Sequence, residues 1–299
     1  MAPLGVLINP TAGRGAGKAE GAKVLFELES ARVDHFNLSG ASYQESRENA
    51  ERAIASGQID SLLVVGGDGM AHLGVNLCAN TEVALGLVAA GTGNDTARTL
   101  GLPVGDAAAG ARAVIGQLKQ PRRIDVLKAH SSIGQFWSTG SVSAGFDALV
   151  NQRANSLAYP KGPSRYQVAM LLELAKFKPI KYHAVIDGEK RSFEAMLCTV
   201  ANAPSYGGGM LITPEADIQD GELDLFIVHK LSRPELIRVF PKVYTGEHVS
   251  HPAVEIIRAK SVRLEAANMP AYSDGEWVGH APITVTIAPL ALKVFAPLP

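Results

Sequence analysis

Leu63-Val64-Val65-Gly66-Gly67-Asp68-Gly69 is a short apolar run that ends in two glycines, an aspartate and a third glycine. The run from Ser61 to Val65 is too short for a helix and reads as a buried strand. The loop after it has a backbone that packing alone does not call for, because glycine leaves N–H groups open to close approach by an anion. Two other stretches have the same form. Val6-Leu7-Ile8 runs into Asn9-Pro10-Thr11-Ala12-Gly13-Arg14-Gly15, and Val83 to Val88 runs into Gly91-Thr92-Gly93-Asn94-Asp95. Backbone donors with the carboxylates of Asp68 and Asp95 suit a polyphosphate and its magnesium, so the three loops read as a nucleotide site.

Around these loops, strand and helix patterns alternate. Helices are expected at Lys18 to Leu28, Tyr43 to Ser56, Met70 to Cys78 and Thr96 to Leu100, with a further strand at Arg32 to Leu38. The last helix stops at Gly101-Leu102-Pro103, a helix-ending signature. The alternation predicts an open, mostly parallel α/β sheet, in which ligands bind beyond the carboxyl ends of the strands. All three glycine loops fall there.

The pattern changes near Pro121, and a domain boundary is expected at residue 122 (domains 1–122 and 123–299). Strands then dominate: Ile124 to His130, Gln135 to Val142, Tyr182 to Ile186, Phe193 to Ala201, Leu223 to Val228, Ser261 to Glu265 and Ile283 to Ile287. Asp-Gly turns separate several of them, the grammar of an antiparallel sandwich. Helical stretches interrupt at Arg165 to Lys178 and Pro234 to Tyr244. The first is amphipathic with basic ends, and either packs on its own domain or rests on a membrane surface. The final run, Leu290 to Phe295, is a candidate to return to the first domain.

Composition narrows the function. The chain has 299 residues, 46% hydrophobic, with formal net charge −1 and no basic block, which argues against nucleic acid as a partner. Two cysteines make no disulfide framework, and a reducing compartment is expected. No basic stretch precedes the apolar run that ends at Ile8, so no signal peptide is expected, and no apolar run reaches the ~20 residues of a membrane span. Any membrane contact is therefore expected to be peripheral.

The first loop is neither a Walker A loop nor G-x-G-x-x-G, since its glycines stand at 13, 15 and 17 and Lys18 precedes Ala19. A strand, a basic loop and a helix N-terminus remain, which serve either as a plain turn or as a phosphate site. Asp95 stands where an N-cap belongs, before Thr96-Ala97-Arg98, and Asn94 and Asp95 can both cap and bind. Asp-Gly-Glu occurs at Asp187–Glu189, Asp220–Glu222 and Asp274–Glu276. Most copies are expected to be hairpin turns, and spacing alone does not select one for chemistry. Asp217, Asp220 and Glu222 bunch in six residues, a turn that either holds a hard cation or is simply solvated. His248 and His251 lack a third metal ligand, and no Gly-x-Ser-x-Gly elbow is present.

Taken together, these residues resemble the diacylglycerol kinase catalytic family, the soluble bacterial lipid kinases. The resemblance runs nearly end to end. It is carried by Asn9 to Gly15, by Gly66 to Gly69, by Gly91 to Arg98 with Leu100-Gly101-Leu102-Pro103, and by Gly145-Phe146-Asp147-Ala148. Tyr206-Gly207-Gly208-Gly209-Met210, Asp220 to Asp224 and Asp274-Gly275-Glu276 follow in the family's order.

The resemblance implies an α/β N-terminal domain with an open sheet like that of NAD kinases and phosphofructokinases, then a C-terminal antiparallel β-sandwich domain. It implies ATP in the cleft between them, with contacts from Asn9, Pro10, Thr11, Ala12 and Gly13, from Gly66, Gly67, Asp68, Gly69, Met70 and Ala71, and from Gly91, Thr92, Gly93 and Asn94. Ser39 stands where the family often has a threonine near ATP. Glu276 is implied as the proton acceptor, with Asp274 close behind. Asp68 and Asp95 would manage catalytic Mg2+, and Asp217, Asp220 and the Glu222 backbone a structural one. The family's Thr and Asn-Glu pair after Gly-Gly-Asp-Gly are replaced here by Met70-Ala71-His72-Leu73.

The implied activity is phosphate transfer to diacylglycerol, in the cytoplasm at the inner membrane face, by a possible homodimer. Sphingoid-base kinase shares the motifs. NAD kinase shares Gly-Gly-Asp-Gly but not the first and third loops. A non-catalytic nucleotide-binding regulator is the reading from another class.

Overall fold

The computed structural model describes residues 3–10, 15, 17–157, 159, 168–169, 172–173 and 178–298, and of 146, 147, 151 and 155 the backbone alone. Thr11, Ala12 and Gly13, and most of the helix expected from Arg165 to Lys178, lie outside the described residues. The chain divides into two compact units, Met1–Asp125 with Leu290–Pro299, and Val126–Pro289.

The first unit is a parallel sheet with helices. In chain order it holds β1 (Leu4–Ile8), α1 (Gly17–Ser30), β2 (His35–Asn37), α2 (Tyr43–Ala55), β3 (Ser61–Gly66), α3 (Asp68–Cys78), β4 (Ala84–Ala89), α4 (Asp95–Thr99) and α5 (Ala107–Gln117). β1 pairs with β2 on one side and β3 on the other, and β3 pairs with β4, all parallel. Every residue of β3 and β4 is buried, which is why both read as unbroken apolar runs rather than alternating ones. Lys293 and Val294 add to β4 in parallel, at Ala84 and Leu85. Asp125, fully buried, accepts a hydrogen bond from Leu290 N at 2.7 Å and fixes the start of that returning segment.

Two elements here differ from expectation. The strand expected over Arg32 to Leu38 is only three residues long, because Arg32 takes a left-handed turn conformation before it. The sequence reading also placed no helix between Gly105 and Gln120. α5 has only Val114 and Ile115 as large apolar residues in an alanine-rich run, so it lacks a strong hydrophobic period. Alanine propensity and the Asp106 cap, whose carboxylate accepts from Ala109 N, make it helical instead.

The second unit is antiparallel. Its elements are β5 (Arg122–Ser131), whose first residues belong to the first unit, β6 (Gly134–Ser138), β7 (Ser141–Ser143), α6 (Phe146–Ser156), β8 (Ile180–Ile186), β9 (Glu189–Ala201) and β10 (Leu223–His229). After these come α7 (Arg233–Val239), 3-10 turns at Phe240–Tyr244 and Glu247–Ser250, β11 (Val254–Ala259), β12 (Ser261–Glu265), β13 (Pro270–Ser273), β14 (Glu276–His280) and β15 (Ile283–Val294). β9 is the hub, pairing with β7, β8 and β10. Its core gathers Leu127, Val142, Tyr182, Val200, Leu225 and Val285, among others. Tyr182 is fully buried, and its hydroxyl donates to Ala144 O at 2.8 Å, satisfying the one polar atom that burial would otherwise penalise.

The single strand expected from Gln135 to Val142 is two strands. A turn at Thr139-Gly140 separates them, and its amides bond to a side chain rather than to a neighbouring strand. α6, β11, β13 and β14 were also not foreseen; β13 and β14 are only four and five residues long.

Candidate functional site

β1, β3 and β4 are neighbours in the sheet, so the loops that leave their carboxyl ends are neighbours too. Two ladder bonds run into the loops: Asn9 N donates to Val65 O at 3.0 Å and Ala90 N to Gly66 O at 2.8 Å. The first loop stands more than fifty residues before the second, and the third follows about twenty-five later; the parallel register brings all three to one edge.

The glycines of this edge do have packing reasons, contrary to expectation. A Cβ on Gly91 would fall on Gly67 Cα, and one on Gly67 would come within 3.1 Å of Gly91 Cα. The second and third loops therefore touch backbone to backbone. A Cβ on Gly66 would meet Met70 Cγ at 2.5 Å, and one on Gly93 would fall on the Asp68 carboxylate. The glycines serve close approach, but of one loop to another.

Asp68 locks that contact. Its Oδ2 accepts from Asn94 N and its Oδ1 from Asp95 N, both at 2.8 Å. Those N–H groups open α4, so a carboxylate on the second loop caps a helix that starts on the third. Asp95 is the first helical residue, not the N-cap expected of it. Asn94 holds the cap position in a left-handed conformation (φ 58°), and its side chain turns back on Gly91, accepting from Gly91 N and donating to Gly91 O, both at 3.0 Å. Arg98, which sequence reasoning did not single out, donates to Gly93 O and stands 3.5 Å from Asp95.

α3 starts directly after Gly67 with no side-chain cap, so its N-terminal dipole is aimed at this edge. Gly69 is half-buried and Thr92 exposed. Met70, Ala71, His72 and Leu73, in the first half of α3, are all buried. The amides of Met70 and Ala71 bond to Gly67 O. In this chain the departure from the family pattern packs the core behind the loop, and the expected contacts Met70 and Ala71 stand behind its surface. Ser39 is half-buried, and its hydroxyl accepts from Ile8 N at 2.9 Å, at the very end of β1.

In the second unit the three Asp-Gly-Glu copies differ. Asp187-Gly188 and Asp274-Gly275 have positive φ at both residues (47° and 90°, 48° and 86°), the hairpin geometry that favours Asp-Gly. They join β8 to β9 and β13 to β14. Four donors converge on the Asp274 carboxylate: Ser138 Oγ at 2.7 Å, Ser141 N at 2.9 Å, Gly140 N at 3.1 Å and Thr139 N at 3.2 Å. Its oxygens hold the β6–β7 turn closed, which is poor placement for a proton acceptor. Glu276, two residues on, is exposed at the start of β14.

The middle copy is no hairpin; only Gly221 has positive φ (74°). Asp220 accepts from Glu222 N at 3.0 Å and pairs with Arg258, whose guanidinium also stands 3.4 Å from Glu222 and 3.8 Å from Asp224. Asp217 accepts from Gln219 N. Among the described residues no group of three or more His, Cys, Asp or Glu side chains is placed to hold a metal. The implied ligand set uses the carboxylates of Asp217 and Asp220 with the backbone of Glu222, and the Arg258 guanidinium stands beside Asp220 and Glu222. Burial lifts the Asp224 carboxyl to about 6 against the pull of Arg258, with Asp220, Glu222 and Glu215 adding to the rise. Burial likewise pushes the Cys78 thiol up, and both cysteines are buried.

Tyr206-Gly207-Gly208-Gly209-Met210 closes on itself through reciprocal Tyr206 and Met210 backbone bonds, with all three glycines left-handed. Gly145 opens α6 where a Cβ would meet Cys198 N at 2.9 Å.

Known proteins are similar to this chain over nearly its whole length. Residues 3–129 match the diacylglycerol kinase catalytic domain, and residues 140–296 match the YegS C-terminal NAD kinase beta sandwich-like domain. The diacylglycerol kinase of Mycobacterium tuberculosis (strain ATCC 25618 / H37Rv) is 35% identical over 292 residues, 97% of this chain and 94% of that one. The diacylglycerol kinase of Bacillus subtilis (strain 168) is 28% identical over 280 residues, 93% and 90% of the two chains. A crystal structure of a diacylglycerol kinase from Bacillus anthracis str. Sterne superposes with a TM-score of 0.74 at 19% identity, covering 99% of this chain and 97% of that one. The chain therefore belongs to the diacylglycerol kinase family and is a lipid kinase of that family.

Proposed function

We propose that this kinase transfers the γ-phosphate of ATP to the primary hydroxyl of diacylglycerol, giving ADP and phosphatidic acid. The observation that carries the nucleotide part is the junction of the second and third glycine loops, locked by Asp68 at the carboxyl edge of the parallel sheet. Ligands of open α/β sheets sit at that edge. The donor set fits a magnesium–triphosphate: backbone N–H groups of glycine loops, the uncapped N-terminus of α3, and the carboxylates of Asp68 and Asp95. A bound magnesium ion would neutralise phosphate charge. Asn9, Pro10, Gly66, Gly67, Gly69 and Gly91 to Asn94 would hold the nucleotide. Ser39 would support the first loop through its bond to Ile8 N.

Glu276 takes the proton of the acceptor hydroxyl as its oxygen attacks the γ-phosphorus in line and the bond to the bridging oxygen breaks. Its exposure supports this role over Asp274, whose oxygens already accept four hydrogen bonds. Most of the acceleration would come from positioning and charge stabilisation. No helix of the described residues is long and apolar enough to cross a membrane. In this reading the lipid is met by peripheral contact at the cytoplasmic face.

Transfer of label from γ-labelled ATP, with magnesium, to a panel of diacylglycerol, monoacylglycerol, ceramide, sphingosine and NAD tests the reading. Label in phosphatidic acid supports it. Label only in sphingosine or ceramide keeps the lipid kinase and replaces the acceptor. Label in NAD alone, or in none of the five, overturns the reading.

A further inference from the structure

The segment from Lys230 to Tyr244, which contains α7 and the 3-10 turn after it, has two sets of residues. Leu236, Phe240 and Val243 pack inward on a core of Met196, Ile212 and Phe226, and Val239 is buried with them. The exposed residues of the stretch are both basic and apolar. Lys230, Arg233, Arg238 and Lys242 are exposed, and between them stand Ile237 (60% exposed) and Tyr244 (54%). Within this stretch the only acid is Glu235, which stands 3.4 Å from His251. Four cations and one acid lie in fifteen residues of a chain whose formal net charge is −1.

Single exposed hydrophobics are ordinary on protein surfaces; two large ones set among four cations are not. An aliphatic and an amphipathic aromatic side chain, ringed by lysine and arginine, match the boundary of an anionic bilayer. The apolar groups enter the acyl region there, and the cations meet the phosphates. A second copy of this chain is a poorer occupant. A two-fold contact would set this cationic face against itself, and like charges facing each other weaken such a contact.

We propose that Lys230–Tyr244 is the surface by which this kinase docks on anionic membranes, with Ile237 and Tyr244 inserted and Lys230, Arg233, Arg238 and Lys242 on lipid phosphates. This deepens the proposed function by naming how the enzyme reaches a lipid acceptor. The test is co-sedimentation of the full chain with vesicles of phosphatidylglycerol and phosphatidylcholine, or of phosphatidylcholine alone, at low and high salt. The native protein should prefer the anionic vesicles, and salt should release it.

Each cation near an anionic surface contributes about fivefold to partitioning, so R233E/R238E should weaken binding by about twenty-five-fold or more. I237D should weaken it by about tenfold. K119E, at an exposed lysine just after α5, removes the same sign of charge elsewhere and should change little. All variants alter exposed positions, and unchanged melting curves confirm folding. Native protein without anionic preference, or R233E/R238E and I237D binding as the native chain does, overturns the proposal. So does an I237D protein that loses a dimer in sedimentation velocity but keeps its vesicles. Label transfer in detergent micelles is read in parallel. Its failure with vesicle binding intact strikes the acceptor assignment alone, while its success with vesicle binding lost in the variants is the expected result.

Discussion

Asp187-Gly188-Glu189 and Asp274-Gly275-Glu276 have the same sequence, the same left-handed pair at the turn and the same use of the aspartate. Asp187 accepts from Lys260 N and Ser261 N, and donates its own N–H to Ser261 O. Asp274 accepts from the amides of Thr139, Gly140 and Ser141, and donates its own N–H to Ser141 O. Each hairpin aspartate thus pins a short link between two consecutive strands, β11 to β12 for Asp187 and β6 to β7 for Asp274. The difference is burial: the Asp187 bonds are exposed and the Asp274 bonds are partly buried, with the Ser138 hydroxyl added. Identical tripeptides can therefore carry different structural weight, and in each the residue open to chemistry is the glutamate rather than the aspartate.

The strongest way to break this comparison is to change the glutamates. E276Q should lower turnover by about a hundred- to ten-thousand-fold, the range for losing a general base, with melting temperature and ATP affinity unchanged. E189Q, at the equivalent exposed position of the other hairpin, should leave turnover as it is. Steady-state rates of the two variants decide it; equal rates would show that the third copy is a hairpin and nothing more.

Changing the aspartates sharpens the contrast. D274A leaves three amides and a hydroxyl without their acceptor in a partly buried turn, which should cost about 3 kcal/mol in urea unfolding. D187A leaves its amides next to water, which can replace the carboxylate, and should cost about 1 kcal/mol or less. If D274A loses turnover at full stability, Asp274 is chemical after all.

The first unit offers the same lesson in another form. Asp68 bridges two glycine loops as Asp274 ties its hairpin to the β6–β7 turn, and the glycines beside it permit the approach. G91A should be destabilised by about 2 kcal/mol, because its Cβ would fall on Gly67 Cα, and backbone can yield only by separating the loops. G57A, at a left-handed turn position with nothing within 4 Å, separates conformational strain from collision. If G91A costs no more than G57A, the backbone contact is not what the third loop needs its glycine for.

Much of this was legible. β3 and β4 are apolar throughout because both faces are covered, so the parallel sheet and its loop edge follow from pattern alone. Asp-Gly marked two real hairpins. What stayed hidden depends on contacts distant in sequence. Asp68 caps a helix twenty-six residues away, and Arg258 enters an acidic turn from thirty-eight residues on. No local window contains either partner. The same limit explains why Asp95 read as an N-cap: it has the right residue type at the right place, but the carboxylate that does the work arrives from another loop. α5 stayed hidden for the opposite reason, since its signal was propensity and not period.

The middle Asp-Gly-Glu copy gives the smallest expected effect and the cleanest sign. Burial lifts the Asp224 carboxyl from 3.8 to about 6 in the folded chain. Below pH 4 it is neutral folded or unfolded and costs nothing. As pH rises, the unfolded chain releases this proton first, so the folded state holds more protons between pH 4 and 6 and loses stability through that window. Glu255 runs the other way. The Arg191 hydrogen bond, with His229 beside it, holds its carboxyl below the usual range, so its contribution is present at neutral pH and is lost as acid is added. The two would blur in the native pH curve, but D224N removes only the first. The stability of D224N relative to the native chain should therefore rise between pH 4 and 6 and then level off. The rise should be on the order of 1 kcal/mol, below the full value of such a shift because the acidic turn around Asp224 is partly open to solvent, which screens these charges. A flat difference across that window would mean that Arg258 neutralises Asp224 as fully as the backbone amides satisfy Asp274. The middle copy would then differ from its two siblings in shape alone.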